Sequence, residues 1–196
     1  PRVIEAIKRG ANDSLKLYPD PEGDELRATI ADYYGLNKQQ VFVGNGSDEI
    51  LAFSFLAFFD SGSPILFPDI TYSFYPVYAS LFQIDYNLVS INDNFTLPVE
   101  QFLRKNGGII FPNPNAPTGN AISLAEIEKI LLHNGERVVI IDEAYIDFGG
   151  ESAVTLINQY PNLLIIQTLS KSRSLAGLRV GLALGQEGLI KGLETI

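Results

Sequence analysis

The sequence predicts an α/β fold, a three-layer α/β/α sandwich built around one mostly parallel sheet. Short apolar runs alternate with helical patterns along most of the chain, which is typical of strands joined through helices. Such connections make neighbouring strands parallel, and right-handed crossovers place helices on both faces of the sheet. With 196 residues and 46% hydrophobic content, the chain can bury one substantial core. Seven strands are expected, near residues 41–43, 65–67, 85–89, 109–111, 138–141, 163–167 and 180–184.

Local signals indicate the helices between these strands. A hydrophobic run at residues 50–59 predicts a buried helix after the first strand. Pro98 suits the first turn of a helix, where its missing N–H costs nothing. Ser123, followed three residues later by Glu126, forms a capping-box pattern ahead of an apolar helical face. These helices are expected to pack on the sheet.

The last predicted strand, 180–184, differs from the others in its connection. It follows the strand at 163–167 after a segment too short for an ordinary helical crossover. We therefore expect one antiparallel strand in an otherwise parallel seven-stranded sheet.

Composition excludes several classes of function. A net charge of −9 argues against broad contact with nucleic acid, which requires a basic face. The chain has no cysteine and one histidine, so disulfides and thiolate chemistry are excluded and a zinc site or a Ser-His-Asp triad is disfavoured. No apolar run approaches the roughly 20 residues that span a bilayer. We expect a cytoplasmic protein without a metal site.

The most informative segment runs from Thr168 to Arg179. It places Lys171 among small hydroxyl residues at the end of an apolar strand, and Asp142 ends another apolar strand. Open α/β sheets bind ligands at the carboxyl ends of their strands, so both side chains are expected at one edge. A lysine in this setting suits covalent bonding to a phosphorylated aldehyde. A positive charge from Arg173 or Arg179 would favour the unprotonated, nucleophilic amine.

A phosphate group needs fixed donors, and two segments offer them. Ser47 and Asp48 precede the hydrophobic helix, so the Ser47 hydroxyl and both backbone N–H groups would meet an anion at a helix amino terminus. Ser170 and Arg179 could complete the cradle, since a guanidinium grips phosphate through two parallel hydrogen bonds. Plain N-capping by Ser47 and an ordinary surface role for Arg179 remain open alternatives.

Several motifs in register identify a family resemblance. In order along the chain these are Tyr18-Pro19, Asn-Gly-Ser-Asp-Glu at 45–49, Pro-Asn-Pro-Asn-Ala-Pro-Thr-Gly at 112–119, Asp-Glu-Ala-Tyr-Ile-Asp-Phe at 142–148, and 170–179. Together they resemble the pyridoxal-phosphate aminotransferases with the aspartate aminotransferase type of fold, and are most similar to the histidinol-phosphate aminotransferase family. The resemblance extends over nearly the whole chain.

The resemblance implies roles for individual residues around pyridoxal 5'-phosphate. Lys171 would bond to the cofactor aldehyde and then move a proton between substrate and cofactor. Asp142 would hold the pyridine nitrogen protonated, and Tyr145 would reach the ring's phenolic oxygen. Tyr72 matches the position of a ring that stacks on the cofactor, with a purely core role as its alternative. Tyr18 matches a tyrosine that reaches the phosphate of the neighbouring subunit, which implies a homodimer.

One position departs from the family pattern. The family commonly has asparagine at the position of Ala116, where the amide contacts the ring oxygen, and a methyl group cannot make that bond. Asn115, one residue earlier, is a candidate replacement, and Tyr145 acting alone is the other. Ala116 itself is given no role.

The resemblance also implies an activity and a domain organisation. Residues 1–196 would form the cofactor-binding large domain, with an amino-terminal segment and a small carboxyl-terminal domain of the parent enzyme lying outside the chain. The parent would transfer an amino group between L-histidinol phosphate and 2-oxoglutarate, giving imidazole acetol phosphate and L-glutamate in histidine biosynthesis. The short chain is expected to bind cofactor without turning over.

Other activities stay open because the arginine that would bind the substrate carboxylate is expected in the small domain. An aromatic amino acid aminotransferase or a phosphothreonine decarboxylase on the same scaffold would keep both Lys171 and Asp142. A non-catalytic α/β domain is a further alternative. There, Ser47, Ser170 and Arg179 would hold a phosphorylated ligand while Lys171 only adds charge.

Overall fold

The computed structural model describes residues 2–196 and contains, within them, a seven-stranded sheet with helices on both faces. All seven predicted strands are confirmed at nearly the expected positions, because each is a short apolar run with turn residues beside it. The strand order across the sheet is β1-β7-β6-β5-β4-β2-β3. The strands are β1 (Val41–Asn45), β2 (Ile65–Pro68), β3 (Tyr86–Val89), β4 (Ile109–Pro112), β5 (Val139–Asp142), β6 (Leu163–Thr168) and β7 (Val180–Gly185).

The expected antiparallel strand is confirmed as β7. It pairs antiparallel with β1 on one side and β6 on the other, whereas β6, β5, β4, β2 and β3 pair parallel. The connection at 169–179 holds only turns and a short 3-10 helix, so the chain reverses beside β6 instead of crossing a face of the sheet.

Six α-helices are present within residues 2–196. In five of them the sequence signal is a run of apolar residues that face the sheet or a neighbouring helix, whereas α1 buries no residue. They are α1 (Arg2–Gly10), α2 (Asp24–Tyr34), α3 (Gly46–Phe58), α4 (Tyr75–Leu81), α5 (Leu124–His133) and α6 (Glu187–Glu194). None of the helices in this part of the chain is long and apolar enough to cross a membrane.

The capping box is confirmed, and the helix predicted at Pro98 is only partly right. The Ser123 hydroxyl accepts the Glu126 N–H at 3.4 Å, and the Glu126 carboxylate accepts the Ser123 N–H at 2.8 Å. Pro98 instead precedes a 3-10 helix, Val99–Leu103. The backbone becomes extended again at Arg104, whose guanidinium donates to the Leu88 carbonyl of β3. The helical segment after Pro98 therefore ends after five residues, in keeping with the short lengths of 3-10 helices.

The two faces of the sheet carry separate parts of the core. Ile140 and Ile166 point toward the layer of α3, α4 and α6, whereas Ile141 and Ile165 point toward the layer of α2 and α5. Strand side chains alternate between faces, so consecutive residues at a strand end face opposite layers. We call the α3/α4 side the front and the α2/α5 side the rear.

The ends of several strands meet at one edge of the sheet. Asp142 ends β5 beside Pro112 of β4, and Thr168 ends β6 opposite Gly181 at the start of β7. The end of β1, Asn45, lies on the far side of β7 and leads directly into α3. This edge therefore gathers the loops that carry the predicted site residues.

Candidate active site

A cavity of about 110 Å³ opens at this edge of the sheet. The structure brings eight of the ten predicted site residues together around it, including both Asp142 and Lys171. The remaining lining comes from small or apolar side chains and from the end of β6. The lining residues are Ser47, Asp48, Tyr72, Pro112, Ala116, Asp142, Ala144, Tyr145, Thr168, Ser170, Lys171 and Arg179.

Asp142 lies at the front of the sheet, at the closed end of the cavity. Only 5% of its surface is exposed. One carboxylate oxygen accepts the Ala144 N–H at 3.0 Å and the other accepts the Tyr75 hydroxyl at 3.1 Å. Burial raises the pKa of Asp142 to about 6, and these two hydrogen bonds oppose that rise only in part. A cationic group placed beside this carboxyl would therefore stabilise its ionised form.

Lys171 lies in the turn that follows β6. Its side chain is exposed to the cavity mouth, with Nζ 5.5 Å from the centroid of the Tyr145 ring. A cation over a ring face at this distance is attracted by the ring quadrupole. The turn is closed by the Ser174 N–H, which donates to the Lys171 carbonyl at 3.0 Å. Lysine and tyrosine therefore face each other across the opening of the cavity.

Two glycines shape the part of the cavity nearest the start of α3. Gly46 has φ +82°, and a Cβ there would lie 2.4 Å from Nη2 of Arg179. A Cβ on Gly181 would lie 2.3 Å from the Gly46 carbonyl carbon. Only glycine lets the Arg179 guanidinium and β7 approach the first turn of α3 this closely. An arginine over a helix amino terminus is an arrangement suited to an anion.

Asp48 and Tyr72 line the same end of the cavity. The Tyr72 hydroxyl donates to Oδ1 of Asp48 at 2.7 Å, while Oδ2 lies 3.8 Å from Nη2 of Arg179. Burial, and then the Asp48 carboxylate, raise the pKa of Tyr72 well above its ordinary value. The ring of Tyr72 stacks on Phe74 at 5.8 Å between centroids. Its predicted contact with a cofactor ring stays a prediction.

Asn115 and Tyr18 lie outside the cavity. The Asn115 amide donates to the Thr118 hydroxyl at 3.1 Å, within its own loop, and to the Ile70 carbonyl at 3.0 Å, in the loop after β2. It lines a neighbouring depression beside Phe148 instead. Tyr18 follows a 3-10 helix and is fully exposed. The contact of Asn115 with a cofactor ring and the role of Tyr18 toward a second subunit both stay predictions.

Two buried polar residues near the site, Tyr75 and Glu143, were not identified from the sequence. Tyr75 is fully buried and donates to Asp142, but it lies in an aromatic-rich segment that gives no signal to single it out. Glu143 directly follows Asp142, and strand alternation places its side chain at the rear of the sheet. It is 1% exposed and accepts hydrogen bonds from Ser152, the Ala153 N–H and Gln167.

The two arginines proposed to place charge near Lys171 lie in different positions. Arg179 lines the cavity, whereas Arg173 turns to the rear and pairs with Asp147. Of these two arginines, only Arg179 therefore adds its positive charge to the cavity that Lys171 lines. Arg173 belongs to a hydrogen-bonded group at the rear that also includes Gln167.

Sequence comparison identifies relatives over the whole chain. The family model for aminotransferase class I and II matches residues 1–196. The chain is 60% identical to histidinol-phosphate aminotransferase of Clostridium botulinum (strain 657 / Type Ba4) and 58% identical to histidinol-phosphate aminotransferase 1 of Methylococcus capsulatus, in each case over 196 residues. It spans 55% of both relatives, about half their length.

Solved structures match the fold over nearly the whole chain. The histidinol-phosphate aminotransferase from Clostridium acetobutylicum superposes with a TM-score of 0.87 at 26% identity, covering 98% of this chain and 59% of that one. The enzyme from Sinorhizobium meliloti in complex with pyridoxal-5'-phosphate gives 0.91 at 23% identity, covering 100% and 55%.

The fold alone does not separate the activities found on this scaffold. The L-threonine-O-3-phosphate decarboxylase from Porphyromonas gingivalis gives a TM-score of 0.85 at 20% identity, covering 99% of this chain and 60% of that one. The predicted large-domain fold is nonetheless confirmed by all three structures. Because the family model covers its whole length, the chain belongs to the class I and II aminotransferases.

Proposed function

We propose that residues 1–196 form the cofactor-binding large domain of a pyridoxal-phosphate-dependent histidinol-phosphate aminotransferase. The complete protein would exchange an amino group between L-histidinol phosphate and 2-oxoglutarate by a ping-pong route. The observation that carries this proposal is the shared cavity of Lys171 and Asp142, with Arg179 above the start of α3 at its other end. The substrate rests on the 58–60% identity to histidinol-phosphate aminotransferases over the whole chain.

The residues of the cavity fit pyridoxal phosphate. Asp142 is a buried carboxyl with two neutral hydrogen-bond donors, so a protonated ring nitrogen is the kind of partner that would hold it ionised. Gly46 leaves space under the Arg179 guanidinium that a Cβ would fill, next to the N–H groups of the first turn of α3. These features match the cationic and the anionic ends of one ligand.

The roles of the chain's own residues follow from this fit. Asp142 would bind the ring nitrogen, while Ser47, Ser170, Arg179 and the backbone of Asp48 would bind the phosphate. When bound, pyridoxal phosphate supplies an electron sink that eases departure of a proton from the substrate α-carbon.

Lys171 is the proposed covalent anchor and proton carrier. Once the substrate amine has taken its place at the cofactor aldehyde, the freed Nζ would accept the proton from the α-carbon and return it to the cofactor side. Tyr145, whose ring centroid lies 5.5 Å from that amine, would reach the phenolic oxygen of the bound cofactor. Tyr72 is proposed to cover one face of the bound ring.

We further propose that the complete protein is a cytoplasmic homodimer. Support comes from Tyr18, whose fully exposed ring is available to a second subunit. In the proposed dimer it would reach the phosphate bound by the partner. The amino-terminal segment and the small domain of the parent are proposed to complete each site.

Steady-state kinetics of the complete protein test the substrate. Histidinol phosphate, phenylalanine and phosphothreonine would each be supplied with 2-oxoglutarate, and glutamate and carbon dioxide would be measured. We expect the highest kcat/KM for histidinol phosphate and no carbon dioxide. Undetectable transamination of histidinol phosphate would refute the proposed substrate, and carbon dioxide release would favour the decarboxylase.

Borohydride reduction tests the covalent attachment. After incubation with pyridoxal phosphate and reduction, mass spectrometry should find the cofactor fixed to Lys171, and a Lys171→Ala protein should remain unmodified. Reversible binding with no fixed adduct would support the non-catalytic binding domain instead. Residues 1–196 alone, treated in the same way, should retain the adduct but lose turnover.

A further inference from the structure

Two residues that directly follow Lys171 are fixed to the segment that follows Asp142. The Ser172 hydroxyl donates to Oδ2 of Asp147. Nε of Arg173 donates to the same oxygen at 3.0 Å, and its Nη2 donates to Oδ1 at 3.4 Å. Hydrogen bonds from Ser172 and then Arg173 hold the pKa of Asp147 below its ordinary value, against the opposing effect of partial burial. The lysine turn is therefore tied to the loop after β5.

Arg173 also makes a second connection, to the interior of the sheet. Its Nη2 donates at 2.9 Å both to Oε1 of Gln167 and to the Tyr34 hydroxyl. Gln167 is 1% exposed, and its Nε2 donates to Oε2 of Glu143 at 2.9 Å. The Arg173 guanidinium thus contacts Gln167 near the end of β6. The Gln167 amide in turn connects it to Glu143, the residue next to Asp142.

These contacts lie at the rear of the sheet, behind the cavity. Gln167 directly precedes Thr168, and Glu143 directly follows Asp142; Thr168 and Asp142 both line the cavity. Because side chains alternate along a strand, Gln167 and Glu143 face the opposite side of the sheet. Arg173 does not line the cavity and lines an apolar depression beside Tyr34. The contacts that Arg173 makes therefore reach Lys171 through the backbone that joins the two residues.

We propose that Arg173 is a positioning residue that fixes the turn carrying Lys171 relative to Asp142. The inference rests on the proposed function of the cavity. Arginine suits this task because its planar fork serves Asp147 and Gln167 at once, whereas lysine carries a single ammonium group on a flexible stem. Loss of the fork would let the lysine amine move without opening the core.

The exposure of the ion pair argues that its main effect is on geometry and not on stability. The side chains of Arg173 and Asp147 are 25% and 39% exposed. Pairs this open to water contribute little to the free energy of unfolding. Misplacing a reacting group by about 1 Å, in contrast, can lower turnover about a hundredfold.

The test uses the complete protein with Arg173→Gln, Arg173→Lys, Asp147→Asn and the Arg173→Gln/Asp147→Asn double variant. Arg137→Gln is the matched control, because it removes an exposed arginine charge from another part of the surface. Two measurements use cofactor-free protein: hydrogen exchange of the amides at 170–175, and the rate at which an acylating reagent modifies Lys171 across pH. Turnover and KM for histidinol phosphate complete the set.

We expect Arg173→Gln to speed amide exchange at 170–175 at least tenfold and to shift the pH profile of Lys171 acylation. Its kcat should fall about ten- to a hundredfold, with KM changed less than about threefold. Arg173→Lys should recover part of the loss. The double variant should lose no more than the larger single variant, because the two residues act as one unit.

Three results would overturn the inference. The first is that Arg173→Gln matches Arg137→Gln in amide exchange and in kcat. The second is that the loss of kcat in Arg173→Gln accompanies a lowered Tm while the pH profile of Lys171 acylation is unchanged. The third is that the kcat losses of Arg173→Gln and Asp147→Asn simply add in the double variant. If the wild-type protein does not transaminate, the proposed function fails. The exchange and acylation data on cofactor-free protein would still decide whether Arg173 fixes the lysine turn.

Discussion

The two consecutive carboxyl groups Asp142 and Glu143 have very different surroundings. Asp142 faces the front of the sheet and the cavity, with two hydrogen-bond donors, Tyr75 and the Ala144 N–H. Glu143 faces the rear and accepts three hydrogen bonds, at 2.7, 2.8 and 2.9 Å. Burial is the main cause that raises the pKa of both, to about 6 and about 7.

The difference separates the proposed binding residue, Asp142, from a structural one, Glu143. Three donors largely satisfy Glu143, so its environment leaves little capacity for a ligand. Asp142 is as deeply buried but lines the cavity, and it lacks a cationic partner within hydrogen-bonding distance among the described residues. A strand end can thus serve folding with one side chain and ligand binding with the next.

The largest expected effect comes from the front, at Lys171. Changing Lys171 to Ala should abolish covalent cofactor attachment and lower kcat at least about 10³-fold, because no other amine lines the cavity to carry the proton. Stability should change by less than about 0.5 kcal/mol, since the side chain is exposed. Reduction with borohydride, turnover and urea unfolding measure these effects. Lys191→Ala, on α6, is the control and should match the wild type.

Isosteric amides compare the two carboxyls directly. Asp142→Asn should weaken cofactor binding about 10- to 100-fold, the value of one hydrogen bond to a charged group. Glu143→Gln should chiefly lower the free energy of unfolding, by about 1–3 kcal/mol, because an amide nitrogen would meet donors where an oxygen accepts them. Cofactor titration and urea unfolding of both variants test this. A larger loss of affinity for Glu143→Gln than for Asp142→Asn would contradict the comparison.

The pH dependence of stability tests the burial of both carboxyls. Their pKa values are raised in the folded state, so between about pH 4 and pH 7 the folded protein holds more protons than the unfolded chain. The free energy of unfolding of cofactor-free protein should therefore fall as pH rises through this window, by on the order of 3 kcal/mol for each carboxyl.

Urea unfolding at pH 5 and pH 8 measures this slope. Asp142→Asn and Glu143→Gln should each flatten it by about half, because each removes one titrating group. Cofactor binding should also flatten the part due to Asp142, since a cationic partner favours the carboxylate. A slope that neither substitution changes would show that other groups cause it.

The smallest expected effect is at Tyr75, a core residue whose hydroxyl donates to Asp142. Removing its hydroxyl in Tyr75→Phe should raise the pKa of Asp142 further, because the hydrogen bond from Tyr75 lowers it. Cofactor affinity should then fall a few-fold, and unfolding free energy by about 1 kcal/mol. Tyr78→Phe is the control, since the Tyr78 hydroxyl donates to the Asp48 carbonyl and not to Asp142. Equal affinity losses in the two variants would argue against a specific role for Tyr75.

Local signals were sufficient to predict the sheet and most of the front of the site. The strands are short apolar runs and the capping box is a local pattern. Asp142 is the last residue of β5, and Lys171 lies in the turn after β6. The sequence could not show where loop side chains turn. The Asn115 amide, for example, donates to the carbonyl of Ile70, which is distant in the chain.

The rear of the site depends on contacts between distant segments. Tyr34 and Gln167 meet across 133 positions, and no local pattern announces such a pair. Strand alternation alone would have placed Glu143 and Gln167 on the same face of adjacent strands, where an amide and a carboxyl can bond. The contacts of Arg173 could not be predicted without also knowing the conformation of the turn after β6.

The antiparallel return of β7 has a consequence for ligand affinity. Lys171 and Arg179 lie within one short connection whose two ends are held together by the β6–β7 ladder, where Thr168 faces Gly181. A molecule anchored at one of these residues meets the other at a high local concentration. Immobilising a single, already closed loop also costs less conformational entropy than immobilising two independent ones. The strand reversal thereby couples the ligand contacts of Lys171 and Arg179, so that a ligand held by one residue binds the other more tightly.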